Sequence, residues 1–142
     1  PQIGMDIRLF VVDGRPMTEG EEEEDIDPSL IDFKKVFVNA TILDETGEEW
    51  GFEEGCLSIP GIRGEVFRPE YVKIHYWTEK GEEKTDVFEG FAARIIQHEY
   101  DHIEGILFTD HLSALKKKLV KGKLTKITQG DVSIGYKMRF PK

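Results

Sequence analysis

Residues 91–107 read FAARIIQHEYDHIEGIL, and their apolar members Ile95, Ile96, Ile103, Ile106 and Leu107 recur at spacings of three, four and seven. That period marks a helix with one buried stripe, and it predicts a helix that ends near Gly105. Ionisable residues interrupt the stripe at His98, Glu99 and His102. Burying such groups bare is costly, so the chain must provide them with a partner. In the H-E-x-x-H order, His98 and His102 stand one above the other on the helix, with about 5–6 Å between Cβ atoms, and both can ligate one ion. Glu99 lies about 100° further round the helix, where it reaches a water beside the ion without ligating, the geometry of a general base.

A catalytic site of this type takes three protein ligands and keeps one position open. Read from the residues alone, the third ligand lies downstream at His111 or Glu104, or upstream at Cys56 in the run EEGCLSIP. Cys56 is the chain's one cysteine, which excludes an intramolecular disulfide framework and fits a reducing compartment. A lone cysteine in a domain of this size is more often a small buried hydrophobe, but beside a divalent cation its thiol would be deprotonated outright.

Upstream of the helix the period is that of strands. Residues 8–12 (RLFVV), 36–43 (VFVNATIL), 66–67 and 72–78 (VKIHYWT) are rich in β-branched and aromatic side chains. Loop signals fall at residues 14–16, 44–47 and 79–82, the last two at hairpin spacing, which predicts antiparallel neighbours. Downstream, residues 112–120 read as a basic helix punctuated by Gly122, and residues 132–140 (VSIGYKMRF) alternate as a final strand. The expected fold is α+β, with antiparallel β-sheets packed around a central helix that carries the metal ligands. Residues 1–142 read as a single catalytic domain.

Charge narrows the partners. Lys and Arg total 19 against 28 Asp and Glu, a formal −9, which argues against broad nucleic-acid binding, including specific DNA binding. Residues 19–27 hold seven acids in nine positions and read as a solvated loop. Neither a membrane span nor a secretory signal is supported, so the chain reads as cytoplasmic.

The runs Glu54-Gly55-Cys56-Leu57-Ser58 and Gln97-His98-Glu99-Tyr100-Asp101-His102-Ile103-Glu104-Gly105 resemble the two signature motifs of the peptide deformylases, EGCLS and QHExDHxxG, in the family's order and approximate separation. Pro1-Gln2-Ile3-Gly4 resembles the tail of that family's remaining motif, G-x-G-[LIV]-A-A-P-Q. The helix and the glycines and alanines that precede it in the family have no counterpart in this chain. The acidic insertion near Glu21 and the terminal pattern suggest a variant bacterial form.

The resemblance implies a metal-dependent hydrolase that removes the N-formyl group from formyl-methionyl termini of nascent peptides and releases formate. It implies Cys56, His98 and His102 as metal ligands, with Fe²⁺ as the native ion and Zn²⁺ or Ni²⁺ in preparations; the donor set alone does not choose. Glu99 would carry the proton, and the Gln2 side-chain amide and Leu57 backbone N–H would stabilise the oxyanion. Gly55 would contact substrate backbone, with Phe52, Phe91 and Ile95 as candidates for a methionine-sized pocket. Arg68 or Arg63 would pair with Asp101 or Glu54 to fix the ligand helix. The basic residues 116–126 read better as a solvated helix face than as an RNA contact, so any ribosome association would be transient; separately, the protein is expected to be a monomer. The alternatives are an H-E-x-x-H metalloprotease with His111 or Glu104 as third ligand, and a catalytically dead metal-binding module.

Overall fold

The computed structural model describes residues 1–22 and 24–140; Glu23, in the acidic stretch expected to be a solvated loop, lies outside the described residues. Four strands, β1 (Leu9–Asp13), β2 (Lys34–Cys56), β3 (Ile59–Trp77) and β4 (Glu83–Glu89), join one sheet in the order β1-β2-β3-β4. Two longer helices follow, α1 (Gly90–Ile103) and α2 (Ala114–Thr128). This is the expected α+β class, with the strands among the described residues joined in one sheet rather than several small ones.

By their contacts the residues form two compact units, 1–50 with 68–106 and 51–67 with 107–142. In the first, β1 pairs antiparallel with β2, Phe10 opposite Phe37, and β3 pairs antiparallel with β4, Val72 opposite Phe88. One face of these strands is aromatic. Phe10 stacks on Phe37 at 4.8 Å between centroids, and the Phe37 ring also meets Tyr76 at 4.5 Å. Val12, Ala40, Val72 and Ile74 complete this core with Ala93 and Ile96 of α1, all fully buried. Burial of the valine, isoleucine and phenylalanine side chains among them stabilises by about 1.5–3 kcal/mol each. The Tyr76 hydroxyl satisfies itself by donating to Asp86 at 2.7 Å, and burial together with that carboxylate pushes the phenol's pKa up.

In the second unit, alternate residues of β3, Ile62, Gly64 and Val66, face inward against Phe108, Leu112, Val120 and Ile127. Gly64 is required there, because a Cβ would fall 2.5 Å from the Leu112 side chain.

The structure departs from the expected elements in three places. Residues 44–47 do not turn: β2 runs through them, and Gly47 answers a close approach, since a Cβ would lie 2.8 Å from the Tyr71 ring. The chain reverses instead at Leu57 and Ser58, and again at residues 79–82 as expected, where Thr78 N–H donates to the Glu82 carbonyl. Helix α2 continues past Gly122 to Thr128, and residues 132–140 are irregular rather than a strand.

Candidate functional site

Helix α1 is fastened at both ends by residues far from it in sequence. Its N-cap, Glu89, makes no side-chain capping bond. Asp27 Oδ2 accepts from Phe91 N–H at 3.2 Å, and Ser29 Oγ accepts from Ala92 N–H at 3.0 Å, so two of the orphan donors of the first turn are met from outside. Gly90 makes room for this: its φ is +59°, and a Cβ would sit 2.9 Å from the Asp27 carboxylate. At the other end Gly105 adopts φ +74°, and Ile106 N–H donates to the Asp101 carbonyl at 2.8 Å while Gly105 N–H reaches the His102 carbonyl, a Schellman closure. Arg8 donates to the Ile103 carbonyl at 3.3 Å and pairs with Glu104.

Between these ends the helix carries the expected ionisable residues. The His98 and His102 rings stand 5.1 Å apart between centroids at 76° to each other, both half-buried. Glu99 Oε2 accepts from the Gln2 side-chain amide at 3.0 Å, so the second residue of the chain is tied to the helix rather than frayed. Asp101 is held by Arg68 at 2.9 Å, with 5% of the arginine and 14% of the aspartate side chain exposed. Arg68 is therefore the expected anchor, whereas Arg63 bonds to the Glu53 carbonyl at 2.9 Å instead. Gln97 is buried, and its amide donates to the Pro69 and Ala93 carbonyls.

Cys56 is the last residue of β2, half-buried against the apolar cluster of Ile59, Ile62 and Val66. Leu57 follows it in the turn with its side chain exposed, and its carbonyl accepts from the Tyr136 hydroxyl at 2.8 Å. A cleft of about 550 Å³ is lined there by Gly55, Cys56, Leu57, Ile62, Arg63 and Tyr136.

Among the described residues, one group of three could hold a metal ion: Cys56, His98 and His102, whose Sγ and ring-nitrogen atoms lie within 4.8 Å of one another. A thiolate with two imidazoles suits Fe²⁺, Zn²⁺ or Ni²⁺. The other candidates for third ligand fall outside that group, with Glu104 exposed and paired to Arg8 and His111 exposed beyond the helix. Of the pocket candidates, Phe91 sets its ring edge-on to Trp50 at 5.1 Å, Ile95 packs on the aromatic core, and Phe52 is exposed.

Sequence reasoning missed Asp27, Ser29 and Tyr136. The run Asp27-Pro28-Ser29 does carry a capping signal for its own 3-10 turn, Pro28–Leu30, but nothing local says that it also caps a helix 64 residues on.

The family model described as Polypeptide deformylase matches residues 1–118. The chain is 53% identical over 142 residues to the peptide deformylase of Christiangramia forsetii and 49% over 141 residues to that of Cytophaga hutchinsonii, covering 99% of this chain and 72% of each relative. Peptide deformylase 1B of Arabidopsis thaliana, solved in complex with an inhibitor, superposes with a TM-score of 0.76 at 34% identity, covering 92% of this chain and 66% of that one. No described helix is long and apolar enough to cross a membrane. The chain belongs to the polypeptide deformylase family, the metal-dependent hydrolases that remove the N-formyl group from nascent chains.

Proposed function

We propose that residues 1–142 act as one catalytic domain in which Cys56, His98 and His102 hold a single Fe²⁺ ion and Glu99 moves the proton during hydrolysis of N-formylmethionyl peptides to formate and a free amine. The observation that carries this reading is the approach of one thiol and two imidazole ligand atoms to within 4.8 Å. The ion, when bound, supplies Lewis acidity toward the formyl carbonyl and acidifies the attacking water.

The chain's own groups do the rest. Gln2 occupies Glu99 Oε2, which holds the carboxylate in one orientation and leaves Oε1 to take the water's proton and hand it to the leaving nitrogen. The same Gln2 amide and the Leu57 backbone N–H serve as donors to the developing oxyanion, and losing one such donor costs ~10²–10³ in rate. Gly55, last but one in β2, presents backbone to the substrate in strand fashion. Phe91 and Ile95, about one turn apart on α1, line the methionine pocket. The protein works as a cytoplasmic monomer, with only transient contact to the ribosome.

The test is formate release from a formyl-Met tripeptide by protein loaded anaerobically with Fe²⁺. Glu99→Ala is expected to keep its metal and lose ~10²–10⁴ in turnover, the range for a general base. Cys56→Ala is expected to lose the metal. Full metal occupancy in Cys56→Ala would point to the protease ligand set and end this reading.

A further inference from the structure

The segment after α2 alternates like a strand in sequence, yet residues 132–140 are irregular, and two contacts fix their path. The Phe140 ring covers Gly130, 3.3 Å from where a Cβ would stand, and the Tyr136 hydroxyl donates to the Leu57 carbonyl at 2.8 Å, across 79 residues. That distance is the modal O–H···O length.

Leu57 needs such a tie. It forms, with Ser58, the two-residue turn between β2 and β3, and its side chain is 76% exposed, so packing does little to hold the residue. The carbonyl and N–H of one residue share a Cα. In a turn closed at both ends by paired strands, a bond that fixes the carbonyl fixes ψ and restrains φ, and so sets the direction of the N–H. Donors aimed in advance are what make an oxyanion hole effective.

We infer that Tyr136 is a positioning residue, whose hydroxyl holds the Leu57 peptide so that its N–H points at the oxyanion formed from the formyl carbonyl. The inference rests on the proposal that the Leu57 N–H is an oxyanion donor. Tyr136 is itself 42% exposed, so its bond adds little to folding and the two effects separate.

The experiment compares Tyr136→Phe with the parent protein, each made with and without an amide-to-ester replacement that exchanges the Leu57 N–H for an oxygen. With Fe²⁺ and a formyl-Met tripeptide, Tyr136→Phe is expected to lower kcat by ~5–10-fold, part of the full loss of a donor, with KM, metal content and melting temperature unchanged. In the ester background the same substitution is expected to have no further effect. In the Zn²⁺-loaded protein, hydrogen exchange at the Leu57 amide is expected to quicken in Tyr136→Phe, a readout that needs no turnover. Unchanged exchange and kcat in Tyr136→Phe, beside a slow ester variant, would overturn the role of Tyr136 and leave the donor reading standing. A fully active ester variant would end both. An undiminished Tyr136→Phe loss in the ester background would show that the hydroxyl acts elsewhere and would overturn the inference.

Discussion

The two long helices are nearly equal in length, 14 residues in α1 and 15 in α2, and are held by opposite means. Helix α1 buries Ala92, Ala93, Arg94, Ile96 and Gln97, takes its cap from Asp27 and Ser29, and ties Asp101 to a buried arginine. Helix α2 buries only Val120 and Ile127, is capped by its own Ser113, and leaves Leu115 and Leu119 exposed among six lysines. Alanine, leucine and lysine are strong helix formers, so α2 can rest on propensity. Propensity, however, sets no direction in space. A helix that must hold two histidines and a carboxylate in fixed relation needs partners from elsewhere in the chain, and α1 has them at both ends.

Substitutions sharpen this contrast. The largest expected effect is at Arg68, because Arg68→Ala leaves the Asp101 carboxylate buried without its cation, a loss of about 3–5 kcal/mol in chemical denaturation. A loss under about 1 kcal/mol would mean that water takes the arginine's place and that α1 is no better anchored than α2. Next come the two sides of the outside cap: Asp27→Ala is expected to cost about 1 kcal/mol and Gly90→Ala about 1–2 kcal/mol, the latter from both its positive φ and the approach of the Asp27 carboxylate. The smallest effect has the opposite sign. Nothing lies within 4 Å of a Cβ built at Gly122 in α2, so Gly122→Ala is expected to stabilise by about 0.5–1 kcal/mol. Two glycine-to-alanine changes of opposite sign, read by melting temperature, would separate a helix placed by its surroundings from one placed by its own sequence.

The same distinction explains what could be read in advance. Helix α1 was legible because its apolar period is strong and His98, Glu99 and His102 break it in a recognisable order; its end was legible at Gly105. The Arg68–Asp101 pair was legible only through the resemblance, and only as one choice among Arg68 or Arg63 with Asp101 or Glu54. Local turn chemistry misled at residues 44–47, where Gly47 serves a close approach of Tyr71 rather than a reversal. Alternation misled at residues 132–140, because a strand needs a partner edge and this segment is instead held by Tyr136 and Phe140. Asp27 was hidden in a run of acids whose composition says only that it is solvated, while its function depends on a helix 64 residues away. Cys56 could be chosen over His111 and Glu104 only by resemblance, since spacing in sequence carries no information about convergence in space.

Among the described residues, the sheet order leaves β1 and β4 with one side unpaired, and an unpaired strand is a template for aggregation. Neither edge invites it. Strand β1 is five residues long and stops at Asp13, whose carboxylate is held to about pKa 2 by the Arg15 guanidinium and so stays charged in all but strong acid. Strand β4 carries Glu83, Lys84, Asp86 and Glu89 in seven residues, with Glu83 bonded to His75 and Asp86 to Tyr76. A second copy adding itself to either rim would have to bring its own strand against these charges, so their desolvation opposes edge-to-edge pairing without the sheet being closed into a barrel.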